Sequence, residues 1–127
     1  MPFVRIDLRK GRTAEQRRAI SAAVHEAMVE TIQIPPLDRF QIIAEHDEES
    51  FVYDPSYLDI SRSDGLVFIQ ICISLGRTVE IKKALFAAIA ARVSATGVRP
   101  EDVFIGVIET ERPNWSFGNG IATYAVK

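Results

Sequence analysis

Pro2 stands ahead of an alternating run, Phe3-Val4-Arg5-Ile6-Asp7-Leu8. Once Met1 is removed, its nitrogen is a free secondary amine. An N-terminal amine is the one ordinary protein base that titrates near neutrality, at roughly 7.7–8.0 for a generic α-amino group. Proline's own amine is more basic, so a water-poor pocket or a neighbouring cation must bring it into range for proton transfer. Two arginines are candidate companions. Arg12 and Arg77 each stand in a Gly-Arg-Thr triplet that follows a strand, the usual location of sites in open sheets. A guanidinium there holds a substrate carboxylate bidentately. Both are therefore expected at the same end of the sheet as Pro2. Arg77 is the better anion binder, while Arg12 serves this site, a neighbouring one or an interface. Asp38, with Arg39 beside it, is an acid able to orient the amine or activate water.

Each has a plainer reading. Many chains begin Met-Pro, and an arginine at a strand–helix turn is often simply solvated. Asp102 holds the place of Asp38 in a second copy of the pattern, which assigns a turn hydrogen bond to at least one of the two. Other reactive types offer less. Cys72 lies in the apolar run Leu66–Ile73, where a buried thiol is expected rather than a nucleophile. His25, beside Glu26 on a helix, is expected to face solvent. His46 adjoins Asp47-Glu48-Glu49, but that spacing matches no metal-ligand set. No nucleophilic triad or phosphate-cradling glycine motif is present either. Neither metal nor cofactor is expected.

The elements that must position these residues occur twice. Gly11-Arg12-Thr13 recurs as Gly76-Arg77-Thr78, and each triplet leads into a helical pattern. Thr13 and Thr78 read as N-caps, with Glu15 and Glu80 in first turns where the helix dipole favours them. Ile20, Ala23, Val24, Ala27 and Met28 mark one apolar face; Leu85, Ala88, Ile89 and Val93 mark the other. Strands are expected at Phe3–Leu8, Phe40–Glu45, Leu66–Ser74 and Val103–Glu109, with a last strand-like piece at Ile121–Val126. The repeat covers residues 2–46 and 66–110 of a single domain, 1–127. Strand–helix–strand connections of this length are right-handed parallel crossovers. Two of them predict an α/β (α+β) fold, with a four-stranded sheet carrying two helices on one face. Leu66–Ile73 is apolar at nearly every position, so the second face is expected to be buried too. A further subunit would cover it, with a closed ring the simplest symmetry. Between the copies, Asp47–Gly65 reads as a surface excursion with a short strand or turn that frames a pocket.

Composition removes several function classes. The 127 residues are 47% hydrophobic with a formal net charge of −2, enough for a core without staples. No basic patch indicates nucleic acid, and no stretch approaches the ~20 apolar residues of a membrane span. Charges are mixed into the first strand, unlike a signal peptide. A cytoplasmic protein is expected.

Pro2 at a strand start, Gly-Arg-Thr entering a helix and the duplicated unit together resemble the tautomerase superfamily, whose members use an N-terminal proline. Within it, the malonate semialdehyde decarboxylase branch is the nearest. The resemblance is carried by Gly11-Arg12-Thr13, Ala27-Met28-Val29-Glu30, Pro36-Leu37-Asp38-Arg39-Phe40-Gln41, Ile73-Ser74 with Arg77, and Trp115-Ser116-Phe117-Gly118. It implies Pro2 as the catalytic amine, Asp38 as its acid/base partner and Arg77 as the carboxylate binder. Trp115 and Phe117 would form the pocket wall. Where the decarboxylase pattern reads Arg-Pro-Arg, this chain has Leu75-Gly76-Arg77; Leu75 thus stands at a substrate-binding position without its cation. Keto–enol tautomerisation of a small 2-oxo acid by a homotrimer is accordingly ranked first, decarboxylation second, and a non-catalytic ligand-binding member of the fold third. Met28-Val29-Glu30 lacks the histidine of related dehalogenases, so dehalogenation ranks lower.

Overall fold

The computed structural model describes residues 2–124. In chain order the elements are β1 (Phe3–Arg9), α1 (Ala14–Ile32), β2 (Gln41–His46), β3 (Val67–Ser74), α2 (Val79–Ser94) and β4 (Val103–Thr110). They form one sheet of order β2-β1-β3-β4. Each helix connects a parallel pair, β1 with β2 and β3 with β4, and the two units join through antiparallel β1 and β3.

Both helices start where the threonines predict. Thr13 accepts from the Gln16 amide at 3.1 Å while its own amide donates to Gln16 Oε1 at 2.8 Å, a reciprocal capping box. Thr78 accepts from the Ile81 amide at 3.2 Å. Ahead of each cap the chain turns through Gly11 (φ +130°) and Gly76 (φ +127°), conformations that glycine adopts without a Cβ penalty.

One sheet face is sealed. Val4, Ile6 and Leu8 of β1 and Val67, Ile69, Ile71 and Ile73 of β3 pack with Ile20, Val24 and Met28 of α1 and Leu85, Ile89 and Val93 of α2 in one buried cluster. Nothing among the described residues covers most of the other face, the one over which a further subunit is expected. Phe104 and Ile108 are 47% and 49% exposed, and Cys72, expected to be buried, is half-buried on this side. Part of the face is roofed by the excursion before β3, which forms two 3-10 turns and no strand. Its Phe51 is buried against Phe68, with ring centroids 5.1 Å apart.

The tail also departs from expectation. Residues 121–124 hold a turn at 123–124 and no strand, and Ala125 and Val126 lie outside the described residues. Gly118, Asn119 and Gly120 all have positive φ, so the chain folds back and the Thr123 amide donates to the Trp115 carbonyl at 3.2 Å. Among the described residues no helix is long and apolar enough to cross a membrane.

Candidate active site

Strand register decides which residues meet. Phe3 faces Cys72 and Val4 faces Gln41, so the start of β1, the start of β2 and the end of β3 share one end of the sheet. Pro2, Asp38 and Arg77 therefore gather there. Leu8 faces Val67, which faces Val103, so the end of β1 and the starts of β3 and β4 share the opposite end. Arg12 is carried there, away from Pro2 within the chain. The expectation that both arginines flank Pro2 overlooked that antiparallel pairing of β1 with β3 reverses the second copy.

Pro2 is buried in a cleft of about 270 Å³ lined also by Phe3, Phe40, Trp115, Ser116 and Phe117. Phe40 is placed by its carbonyl, which accepts from the Val4 amide at 3.0 Å. Trp115 stacks on Phe117 at 5.3 Å between centroids, and its Nε1 donates to Ser74 Oγ at 3.0 Å. Phe117 in turn meets Tyr124 edge-on at 5.3 Å. The aromatic row leads to a second recess of about 530 Å³, lined by Ser74, Leu75, Gly76, Arg77, Arg112 and Tyr124 among others. Arg77 is held by donating Nη1 to the Ser74 carbonyl at 3.1 Å. Pro2 and Arg77 thus line separate hollows, coupled through Ser74 and Trp115. Leu75 is 53% exposed at the recess wall.

Asp38 is set by a tight turn in which its amide donates to the Pro35 carbonyl at 2.9 Å. One carboxylate oxygen, Oδ1, is buried and has no hydrogen-bond partner among the described residues. Burial raises the Asp38 pKa above the ordinary carboxylate value, with the nearby His25 pulling the other way. His25 is not solvent-facing: it is 7% exposed, and its Nε2 lies 2.8 Å from the Pro36 carbonyl. That acceptor requires the proton on Nε2, leaving Nδ1 buried without a partner. His25 fastens α1 to the turn that presents Asp38.

At the opposite end the same residue types are consumed by structure. Arg12 Nη2 donates to the Gly65 carbonyl at 2.7 Å. Burial lowers the Arg12 pKa, and neighbouring Asp102 opposes this. Asp102 is 1% exposed and accepts from the Ser63 amide at 2.7 Å and the Ser63 hydroxyl at 2.5 Å. Arg12 and Asp102 tie down the segment entering β3.

A third hollow of about 480 Å³ lies on the open sheet face, lined by residues including Asp7, His46, Phe51 and Phe104. Burial pushes the Asp7 carboxyl up, but hydrogen bonds from His46 and Arg5 and their charges bring it below its ordinary value. His46 Nε2 is 2.7 Å from Asp7 Oδ1. Among the described residues no group of three or more His, Cys, Asp and Glu side chains is placed to hold a metal.

Sequence reasoning gives no role to Arg112 or Tyr124, names Ser74 only within the resemblance and places His25 in solvent. Tyr124 carries a signal as an aromatic a short step after Trp115 and Phe117, within the expected final strand.

Paired strand–helix–strand units forming one sheet backed by two helices define the tautomerase fold, with the candidate site at the end where the first strand begins. Tautomerase enzyme families match residues 38–118 and residues 2–59, and the chain belongs to the tautomerase superfamily. It is 45% identical to the probable tautomerase YusQ of Bacillus subtilis (strain 168), covering 96% of this chain and 97% of that protein. The crystal structure of a malonate semialdehyde decarboxylase inhibited by 3-bromopropiolate superposes with a TM-score of 0.91 at 44% identity, covering 96% of this chain and 93% of the other. A second malonate semialdehyde decarboxylase, solved in wild-type, mutant and inactivated forms to explain its decarboxylase and hydratase activities, superposes with a TM-score of 0.89 at 30% identity. It covers 96% of this chain and 95% of the other.

Proposed function

We propose that the protein is a keto–enol tautomerase of a small 2-oxo acid in which Pro2, freed by removal of Met1, shuttles the proton. The observation that carries this reading is the burial of Pro2 in a cleft walled by Phe3, Phe40, Trp115 and Phe117, with no charged residue among the described residues of its lining. Such walls disfavour the protonated amine and bring its pKa toward neutrality. The neutral amine takes the enol hydroxyl proton while the O–H pair forms the carbonyl. The displaced π pair then accepts the proton at the adjacent carbon. Arg77 holds the carboxylate with the donors that the Ser74 carbonyl leaves free. Asp38, kept protonated to higher pH by burial, orients the amine or a water. The test is the rate of phenylenolpyruvate ketonisation. The wild-type protein should exceed a Pro2→Ala variant by at least about a hundredfold, the scale of one general acid–base group; equal rates would refute the reading.

Whole-length likeness to malonate semialdehyde decarboxylases supports a second reading. There a protonated Pro2 polarises the carbonyl, the carboxylate C–C bond breaks, its electron pair is received as an enol and carbon dioxide leaves. Acetaldehyde formation from malonate semialdehyde, increased by Leu75→Arg, would promote it over tautomerisation.

The open sheet face, with Phe3, Ile42, Phe104 and Ile108 exposed, supports a homo-oligomer, and we propose a closed homotrimer. Sedimentation equilibrium giving a monomer mass at micromolar concentration would exclude it.

A further inference from the structure

Arg112 has no part in the readings above, yet its position is distinctive. It lines the same recess as Arg77, and among the described residues no carboxylate lines that recess with them. Among the described residues neither arginine has an acidic ion-pair partner; Arg12, Arg18, Arg39 and Arg62 share that property, so what sets Arg77 and Arg112 apart is that both line one recess. An isolated exposed arginine needs no explanation, since water satisfies it. Two guanidiniums facing one hollow repel each other, and an anion between them relieves the repulsion.

The geometry also holds Arg112 in place. Its guanidinium carbon lies 5.4 Å from the centroid of the Tyr124 ring, a cation–π distance. Its carbonyl accepts from the Trp115 amide at 3.3 Å, closing the turn Arg112–Asn114. One turn thus presents Arg112 to the recess and Trp115 to the Pro2 cleft, and the row Trp115, Phe117, Tyr124 joins the two. A cation already positioned loses less side-chain freedom on binding.

We propose that Arg112 is the second cation of a carboxylate-binding recess, so that Arg77 and Arg112 together grip the carboxylate of an oxo acid in the hollow that the aromatic row joins to the Pro2 cleft. This rests on the oxo-acid reading above and deepens it. It gives the site two cations despite Leu75, with the second supplied by the segment after β4. The recess selects the ionised acid over its neutral ester, because a guanidinium pair gains from charge and from planar bidentate geometry.

Binding is measured by calorimetry in the Pro2→Ala background, which removes turnover, with 2-oxobutanoate and its methyl ester as probes. The parent should bind the acid more tightly than the ester. Arg112→Gln should weaken the acid by about tenfold to a hundredfold, the range of one hydrogen bond to a charged group, and leave the ester within twofold. Arg112→Lys should restore only the part of the loss that charge carries, leaving acid binding between those of the parent and Arg112→Gln. Three results overturn the proposal: a parent that does not prefer the acid, acid binding unchanged in Arg112→Gln, or equal weakening of acid and ester, which marks Arg112 as packing for Tyr124. Failure of the tautomerase reading has a different signature, namely wild-type protein without turnover whose acid preference still depends on Arg112.

Discussion

Replacing Asp102 by alanine should destabilise the fold far more than the same change at Asp38, although the two aspartates occupy equivalent places in the repeat. Asp102 is 1% exposed and accepts both the amide and the hydroxyl of Ser63, at 2.7 and 2.5 Å. A hydrogen bond to a charged group contributes about 1.5–3 kcal/mol, so losing both costs about 3–6 kcal/mol. The ion pair to Arg99 at 3.6 Å adds little, because the Arg99 side chain is 45% exposed. Arg12 would also lose the charge that offsets its burial. For a chain of this size the loss corresponds to a fall in Tm of about 12–24 °C. Asp38, by contrast, has one buried oxygen without a partner, so Asp38→Ala should change stability by less than about 1 kcal/mol. Urea unfolding at matched protein concentration separates the two, since association would otherwise enter the apparent stability. Equal shifts in the midpoint, or an Asp102→Ala cost under about 1 kcal/mol, would refute the division into a structural end and an open end.

Burial raises the Asp38 pKa, so its charge is less favourable in the folded protein than in the unfolded chain. The carboxyl's contribution is then fully present below its unfolded pKa and lost as pH rises through the raised folded value. Asp38→Asn should therefore be more stable than wild type above that folded value, with the gap closing in acid; thermal melts from acid to neutral pH check this. Thr13→Ala breaks the capping box at the start of α1 and should cost about 1 kcal/mol in chemical denaturation. His25→Leu leaves the Pro36 carbonyl without its donor and should cost about 1–3 kcal/mol by the same measurement.

Local signals were legible wherever the chemistry was local. The threonine caps, the glycine turns and the strand alternation each depend on a few adjacent residues, and they lie within a residue or two of where periodicity puts them. The position of Arg12 was not legible in this way. A repeat establishes that two units exist but not how they face each other, and antiparallel pairing of β1 with β3 sends the two Gly-Arg-Thr turns to opposite ends. His25 reads as an exposed polar residue until a carbonyl from the loop after the helix is brought to it. Arg112 and Tyr124 meet only because the tail reverses at Gly118-Asn119-Gly120. Contacts of this kind follow no helical or strand period, so pattern reading could not supply them.

Duplication creates the material for two sites, and the chain path decides that one is filled in. At the end bearing Arg12 and Asp102, the chain enters β3 from the excursion, and Ser63 and Gly65 occupy the donors and acceptors that a ligand would need. Val67, the repeat counterpart of Pro2, is buried within a continuous peptide; its amide nitrogen cannot serve as a base. At the other end the segment after β4 walls the hollows with Trp115, Phe117 and Tyr124, and among the described residues one Asp38 oxygen keeps no partner and Arg77 hydrogen-bonds a backbone carbonyl. On the proposed reading, that end alone presents a free amine, because Pro2 stands there at the start of β1. A pseudo-symmetric scaffold thereby yields one open end and one braced end from nearly the same residues, with the excursion before β3 as the asymmetry that separates them.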